Sequence, residues 1–400
     1  MDTRKKPNVK LEGHELFFNT LTGNWAFRPI KGYSTKYLKK DTFVPKETIE
    51  RVGSNEENKH ENKSANSSLG KARNRKNDEF YTRLEDITNE LQHYKSYFKD
   101  AVVYCPCDKL YNLGRSNFGK YFLGKFHGLG IKKLICTQYN PNGFGVTEIY
   151  DFEKMGIKWE YNGEVTDGEF VDESEIDTFF LKGNGSFDSP ECREIMRNCD
   201  IVVTNPPFSL FRKFLSQIIE FDKKFIIIGD EGAIKYKEVF PLIQQNKVWM
   251  GYSKPKAYAT NLEKVENEKT QYEEDGTIYQ KFGNHCWYTN LEHSKRKNKI
   301  YLSKRYDPSV YPTFDNYDAI NVNYIKDIPV DYDGVMAVPI TYIAKHNPNQ
   351  FELVGQLNTG CFVDENGWQA SNGKNMLSIN GGTSFQRVLI RKISDIPSKE

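Results

Sequence analysis

The chain has 400 residues, 38% of them hydrophobic and 14% aromatic, with a formal net charge of +2, which is room for two or three domains around a substantial core. A mean hydropathy of −0.69, no apolar run near the roughly 20 residues a bilayer span needs and the polar start MDTRKKPNVK exclude a membrane span and a secretory signal, and predict a soluble, cytoplasmic protein. Seven cysteines (Cys105, Cys107, Cys136, Cys192, Cys199, Cys286 and Cys361) form an odd set without CxxC pairs or histidines at zinc-ligand spacing, which argues against a disulfide framework and a zinc site.

Charge is unevenly spread. Residues 1–77 carry 17 Lys+Arg against 9 Asp+Glu, a net of +8 that leaves −6 for the rest. A basic arm on a mildly acidic body suits a polyanion, and equally a solvated tail. Within it, residues 1–45 hold alternating aromatics (Leu16-Phe17-Phe18, Trp25-Ala26-Phe27) that suggest a small hairpin, and Lys46–Asn77 has the Ser/Asn/Lys/Glu composition of a flexible linker.

The globular part should begin near Asp78. Strands are predicted at Val102–Cys105, Lys133–Cys136, Phe179–Leu181, Ile201–Thr204, Phe225–Ile228 and Val248–Met250. Helices are predicted at Glu85–Phe98, Ser116–Phe126, Pro190–Arg197 and Leu210–Ile219. This alternation predicts an α/β fold with a mostly parallel sheet covered on both faces, in which ligands bind outside the carboxyl ends of the strands. Beyond Tyr252 the rhythm breaks: Asn261–Asp275 is polar and charged, Cys286–Leu291 reads as a further strand, and the basic run Lys295-Arg296-Lys297 leads into a Tyr-, Asn- and Gly-rich end. That end is expected to form a second, smaller domain. The basic run fits either phosphate contact or a solvated loop. Asp315-Asn316-Tyr317-Asp318 suits either base-edge readout or a turn.

The chemistry concentrates at Asn205-Pro206-Pro207-Phe208, directly after the apolar run Ile201–Thr204. Two prolines hold a loop stiff and leave carbonyls to face a ligand, and an adjacent aromatic ring offers a face for stacking. The combination suits a planar amine such as the exocyclic amine of adenine, a poor nucleophile whose hydrogens must be drawn to acceptors before its lone pair is available. The Asn205 side-chain oxygen and the Pro206 carbonyl are the candidate acceptors, and Phe208 the candidate stacking surface. An Asn-Pro turn closing a strand is the structural alternative.

Longer blocks then carry a resemblance. Asp78–Thr82 (DEFYT), Val102–Asp108 (VVYCPCD), Asp200–Phe211 (DIVVTNPPFSLF), Tyr236–Phe240 (YKEVF), Asn284–Leu291 (NHCWYTNL), Tyr311–Val322 (YPTFDNYDAINV) and Gly334–Leu353 resemble, in order, the EcoRI-type adenine-specific DNA methyltransferases. The likeness spans about residues 76–355.

The resemblance implies a Rossmann-like methyltransferase domain (76–300) that binds S-adenosylmethionine, a C-terminal target-recognition region (301–400) that reads duplex DNA, and an N-terminal extension (1–75) outside the family. Asn205, Pro206, Pro207 and Phe208 match the catalytic motif, while Phe80, Tyr81 and Thr82 match the motif at the cofactor's methionine end. Tyr104, Cys105, Pro106, Cys107 and Asp108 replace the usual glycine-rich cofactor loop; Cys105 and Cys107 read as small packing residues rather than reactive thiols. Ser186 stands where the family has an acid before Phe187, so either Ser186 or Asp188 is expected to receive the cofactor's adenine, and Cys136–Tyr139 offers no carboxylate for its ribose.

The expected reaction is direct methyl displacement onto an adenine flipped out of duplex DNA, with no metal required. A monomer is expected, belonging either to a restriction–modification pair with a cognate endonuclease or to an orphan modification system. RNA-base or protein-glutamine methylation is the neighbouring alternative, and a silent DNA-binding relative the one from another class.

Overall fold

The computed structural model describes residues 81–108, 110, 116–140, 155–163, 171, 175–259, 270–272, 278–280, 284–357, 377–383 and 386–393, together with strands at 9–10, 14–19, 24–29 and 42–43. Residues 46–77, read as a linker, and Phe80 lie outside the described residues. Contacts divide the chain into two units, Met1–Ile228 with Pro255–Gly283, and Gly229–Lys254 with Asn284–Glu400.

The first unit opens with short strands. Strand β1 is Val9–Lys10; β2 (His14–Asn19) and β3 (Asn24–Pro29) form the expected hairpin, and β4 (Thr42–Phe43) extends it. Next come β5 (Tyr81–Thr82) and helix α1 (Leu84–Leu91), which tightens into a 3-10 turn at Gln92–Tyr97. Strand β6 (Val102–Pro106) is followed by α2 (Asn117–Leu129) and β7 (Lys133–Gln138). Strands β8 (Ile157–Tyr161) and β9 (Asp177–Phe180) precede α3 (Pro190–Asn198), β10 (Ile201–Thr204), α4 (Phe211–Glu220) and β11 (Lys224–Asp230).

Local sequence sets these limits. Ser116 caps α2 by accepting from Gly119 N at 3.0 Å, and the helix ends at Gly130 in the left-handed region (φ 67°), where a residue without Cβ costs least. Ser189 caps α3 and Pro190 occupies its first turn. All four residues of β10 are buried, as expected of a strand with parallel neighbours on both sides.

The sheet of this unit runs β1, β9, β8, β7, β6, β10, β11. Strands β7, β6, β10 and β11 are mutually parallel, with Val103 opposite Leu134 and Ile201, while β8 is antiparallel to both its neighbours. The sheet is therefore mixed, whereas a mostly parallel one was expected. Strand β8 supplies the difference: Ile157, Trp159 and Tyr161 are buried and alternate with half-buried Lys158 and Glu160, the period-two signature of a strand with one wet face.

Chain order reverses between β6 and β10: β6 proceeds to β7 on one side, and β10 to β11 on the other. Such a reversal opens a crevice at the carboxyl ends of the two central strands. Later, residues 255–283 return to this unit, where β13 (Tyr258–Ala259) pairs with β5, and β14 (Thr270–Tyr272) and β15 (Ile278–Gln280) complete a four-stranded sheet.

The second unit contains α5 (Phe240–Gln244) and an antiparallel pair, β12 (Trp249–Met250) with β16 (His285–Thr289). Its main sheet has the order β17 (Ile320–Asn321), β18 (Met336–Pro339), β22 (Arg387–Lys392), β19 (Phe351–Leu357). A small hairpin, β20 (Ser378–Ile379) with β21 (Gly382–Thr383), lies between β19 and β22 in the chain. Phe314, Ala319, Ala337, Val354, Leu377 and Leu389 form a buried cluster within this unit. Among the described residues no helix is long and apolar enough to cross a membrane.

Candidate active site

The tetrapeptide Asn205–Phe208 leaves the end of β10, at the chain reversal, beside the loop that leaves β6. Asn205 Nδ2 donates to Thr82 Oγ1 at 3.2 Å. Pro206 is buried, and its carbonyl takes no hydrogen bond from the described residues. The Pro207 carbonyl instead closes the turn, accepting from Leu210 N at 2.9 Å. Phe208 is half-buried and starts the 3-10 turn Phe208–Leu210 that feeds α4.

A ring of hydrogen bonds ties this loop to the others. Thr82 O accepts from Asn117 Nδ2 at 2.8 Å, on the first turn of α2. The cap of that helix, Ser116, also bonds the buried Asp108 carboxyl. Asp108 Oδ2 is 2.9 Å from Thr204 Oγ1, which also bonds the Pro106 carbonyl. Thr204 precedes Asn205, so the ring closes. Neither Thr204, Ser116 nor Asn117 was singled out from sequence, although a serine ahead of an apolar helical repeat is a recognisable cap.

Other candidates divide between the loop surface and the core. Strand β5 holds Tyr81 in register with Ala259 and Thr82 with Tyr258. It is braced by Asp86 of α1, whose Oδ2 accepts from Lys256 N at 3.0 Å and Ala257 N at 3.4 Å. Tyr104 is fully buried, its hydroxyl 2.9 Å from Thr137 Oγ1. Cys105 is buried opposite Cys136, and burial pushes its thiol well above the usual range; it packs and does not react. Cys107 alone of this loop is exposed, with φ 67°. Phe187 is buried, its ring 5.0 Å from Phe214 at 89°.

Ser186 Oγ donates to Asp188, and Asp188 in turn accepts from Lys213. Burial pushes the Asp188 carboxyl up, but the bonds from Lys213 and Ser186 outweigh it and hold the group below its ordinary range. With its proton committed to Asp188, the half-buried Ser186 oxygen keeps lone pairs that can accept.

Next to this pair the backbone is tightly packed. Gly185 adopts φ 74°, and a Cβ there would lie 2.3 Å from Gln138 O; a Cβ on Gly156 would lie 2.4 Å from Gly185 Cα. Only glycine lets the segments after β7, before β8 and after β9 approach so closely. The carboxyl edge thus gathers four loops: Pro106–Asp108, Gln138–Asn140, Asn184–Asp188 and Asn205–Phe208. Among the described residues no cluster of His, Cys, Asp and Glu could hold a metal ion.

An α/β sheet with an Asn-Pro-Pro-Phe loop at its reversal point has the architecture of an enzyme with its ligands at the carboxyl edge of the sheet. The sequence matches the family described as adenine-specific methyltransferase EcoRI over residues 68–393. It is 43% identical over 336 residues to the type II methyltransferase M.EcoRI of Escherichia coli, covering 82% of this chain and 97% of that protein. It is 34% identical over 342 residues to the type II methyltransferase M.MpnI of Mycoplasma pneumoniae, covering 82% of this chain and 99% of that protein. No solved structure matches the chain. The chain belongs to the EcoRI family of adenine-specific methyltransferases.

Proposed function

We propose that the Asn205–Phe208 loop transfers a methyl group to the exocyclic amine of an adenine flipped out of duplex DNA. This chain is a site-specific DNA adenine methyltransferase of the restriction–modification type. The observation that carries the catalytic reading is the Pro206 carbonyl, restricted by its own ring and by the proline that follows it, at the reversal of the sheet and without a described donor. With the Asn205 amide oxygen it would accept both amine hydrogens, which localises the nitrogen lone pair. Thr82 turns the Asn205 amide by taking its Nδ2, and keeps its own hydroxyl proton for a second acceptor. The Phe208 ring would stack on the base, an interaction worth roughly 1–3 kcal/mol against the few kcal/mol that base extrusion costs.

Methyltransferases of this family imply S-adenosylmethionine, which supplies the methyl group as an electrophile on a sulfonium. Four loops on one edge, the two-glycine contact that packs the Gln138 and Asn184–Asp188 segments together and the accepting lone pairs of Ser186 fit a nucleoside-bearing cofactor. In this reading Phe80, Tyr81 and Thr82 hold its amino-acid end, the backbone of Tyr104–Asp108 passes its middle with Tyr104 and Cys105 packed behind it, and Ser186, Phe187 and Asp188 form the wall at its adenine. Residues 76–300 are the catalytic domain, 301–400 the target-recognition region and 1–75 an added basic arm. The enzyme acts as a cytoplasmic monomer beside an endonuclease of the same site.

Expression in a host lacking adenine methylation, followed by long-read mapping of modified adenines, tests the function. One sequence context fully methylated is the expected result. Methyl incorporation into RNA or protein and none into duplex DNA would refute it.

A further inference from the structure

Residues 294–306 of the second unit carry six cations, Lys295, Arg296, Lys297, Lys299, Lys304 and Arg305, and no acid. The segment has little regular structure: a 3-10 turn at Ser294–Lys297 and a single bridge from Lys304 to Pro329. Its backbone is nevertheless held at five points. Asn347 Nδ2 donates to Lys297 O at 3.0 Å, Ile300 N donates to Gln350 Oε1 at 2.7 Å, and Gln350 Nε2 returns a bond to Ile300 O at 2.8 Å. Val330 N donates to Lys304 O at 2.9 Å and Tyr306 N to Asp331 Oδ1 at 2.7 Å.

Two of the six cations are engaged within the fold. Arg296 lies 3.6 Å over the Trp249 ring and bonds Glu292, and Lys295 Nζ donates to Tyr252 O at 2.8 Å. The other four are exposed. Lys297, Lys299 and Lys304 make no ion pair among the described residues, and Arg305 meets Asp331 only at 3.5 Å with its side chain 84% exposed. Tyr301, in their midst, is 86% exposed, the most exposed large hydrophobic residue of the described chain.

Holding like charges at fixed places on a clamped backbone costs repulsion, which among the described residues only the exposed Arg305–Asp331 contact relieves, and a polyanion would relieve it further. We propose that Lys297, Lys299, Lys304 and Arg305 form a ridge that contacts phosphates of duplex DNA. This rests on the DNA reading above. Each phosphate contact releases condensed counterions, so the ridge should register in the salt dependence of binding.

The test is binding of a fluorescent random-sequence duplex across a salt series, by wild type and by the triple variant Lys299→Gln, Lys304→Gln, Arg305→Gln. The slope of log affinity against log salt should become shallower by about 2.7, at 0.9 per contact. Lys125→Gln, one charge removed from an exposed position of α2, should leave the slope unchanged. A triple variant with the wild-type slope, or a Lys125→Gln variant that shifts it as much per charge, would overturn the proposal. A wild type that methylates no duplex at all would instead refute the DNA reading itself.

A different observation, in the first unit, supports a second assignment. Thr204 Oγ1 reaches two oxygens at once, the Pro106 carbonyl and Asp108 Oδ2. A hydroxyl carries one proton and a carbonyl none. Both contacts are full two-centre hydrogen bonds only if Asp108 brings a second proton; otherwise one proton is shared between two acceptors.

We infer that Asp108 is a neutral carboxylic acid that donates to Thr204 Oγ1 while the Thr204 proton goes to the Pro106 carbonyl. Asp108 is then a positioning residue: it ties the loop after β6 to the residue that precedes Asn205. Its surroundings agree. Asp108 is 6% exposed, and burial pushes its carboxyl up to about 7 even with Ser116 and Thr204 in hydrogen-bonding reach. The titratable groups that face it are the Cys105 and Cys136 thiols, both pushed up by burial, and no cation among the described residues acts on it.

Asparagine offers a donor and an acceptor without a charge, so it separates the two forms. Asp108→Ala should lower methyl transfer by roughly tenfold, the worth of one hydrogen bond. Asp108→Asn should restore most of that loss and remove a decline in rate as pH rises through 7. An infrared difference spectrum between wild type and the Asp108→Asn variant should show a protonated-carboxyl stretch that fades over the same pH range, whether or not the protein methylates DNA. An Asp108→Asn variant as impaired as Asp108→Ala, or no such stretch, would overturn the assignment.

Discussion

Asn205 and Thr82, 123 positions apart in the chain, meet through a 3.2 Å hydrogen bond from the Asn205 amide nitrogen to the Thr82 hydroxyl. That bond decides which way the amide faces. The oxygen that the proposed reaction needs is set by a residue on a two-residue strand, β5, which is itself held by β13.

The first consequence concerns Asn205. Asn205→Ala should reduce methyl transfer by at least roughly a hundredfold, the scale of losing one preorganised polar group at a reacting centre. S-adenosylmethionine binding should persist, because the amide is assigned to the target amine. Transfer of labelled methyl and calorimetric titration with the cofactor measure the two separately; an unimpaired variant would remove Asn205 from the mechanism.

Thr82 should act through orientation. Thr82→Val removes the acceptor of the Asn205 amide and should lower kcat by up to roughly tenfold, in line with one neutral hydrogen bond. Thr82→Ser should restore it. Steady-state kinetics on both variants at saturating DNA give the comparison.

Much of the first unit was legible in the sequence, and the reasons are local. The parallel strands β6, β7, β10 and β11 announce themselves as short apolar runs, and Ser116 and Ser189 mark helix starts by capping. Strand β8 was legible too, in the alternation of Ile157, Trp159 and Tyr161, and was passed over. The pairing of β5 with β13 was not legible: two residues carry no period, and their partners lie beyond a long excursion into the second unit. Likewise the hydrogen-bond ring around Asn205 depends on threonine, serine and asparagine side chains whose partners are set by tertiary approach alone.

Gly185 offers a test of the loop junction. With φ 74° and Gln138 O where a Cβ would go, Gly185→Ala should destabilise the protein by roughly 1–3 kcal/mol or more and lower Tm by several degrees. Gly124→Ala, in α2 with nothing within 4 Å of the new methyl, should be neutral or stabilising by up to about 1 kcal/mol. Thermal unfolding of both distinguishes a strained position from a mere glycine.

The raised carboxyl of Asp108 has a sign in stability. Its folded value of about 7 lies above the ordinary 3.8, so the folded state holds a proton that the unfolded state releases. Its contribution is fully present below the unfolded value and is lost as pH rises toward 7, by up to roughly 1.4 kcal/mol per unit. Denaturant unfolding of wild type and the Asp108→Asn variant from pH 4 to 8 should therefore show their stability difference shifting in favour of the variant as pH rises.

Tyr301 should behave differently from the lysines beside it. An aromatic contact releases no counterions, so Tyr301→Ala should weaken duplex binding by a similar factor at every salt concentration and leave the slope of the salt series intact. A changed slope would mean that Tyr301 acts by placing its charged neighbours.

The return of residues 255–283 to the first unit limits how this protein can be cut. Any fragment ending before that return deprives β5 of its strand neighbour and leaves the Asp86 carboxylate without the Lys256 and Ala257 amides. The first unit is therefore not a portable cassette that a shortened gene could encode, and recombination that exchanges the second unit between relatives must leave this inner stretch with the first.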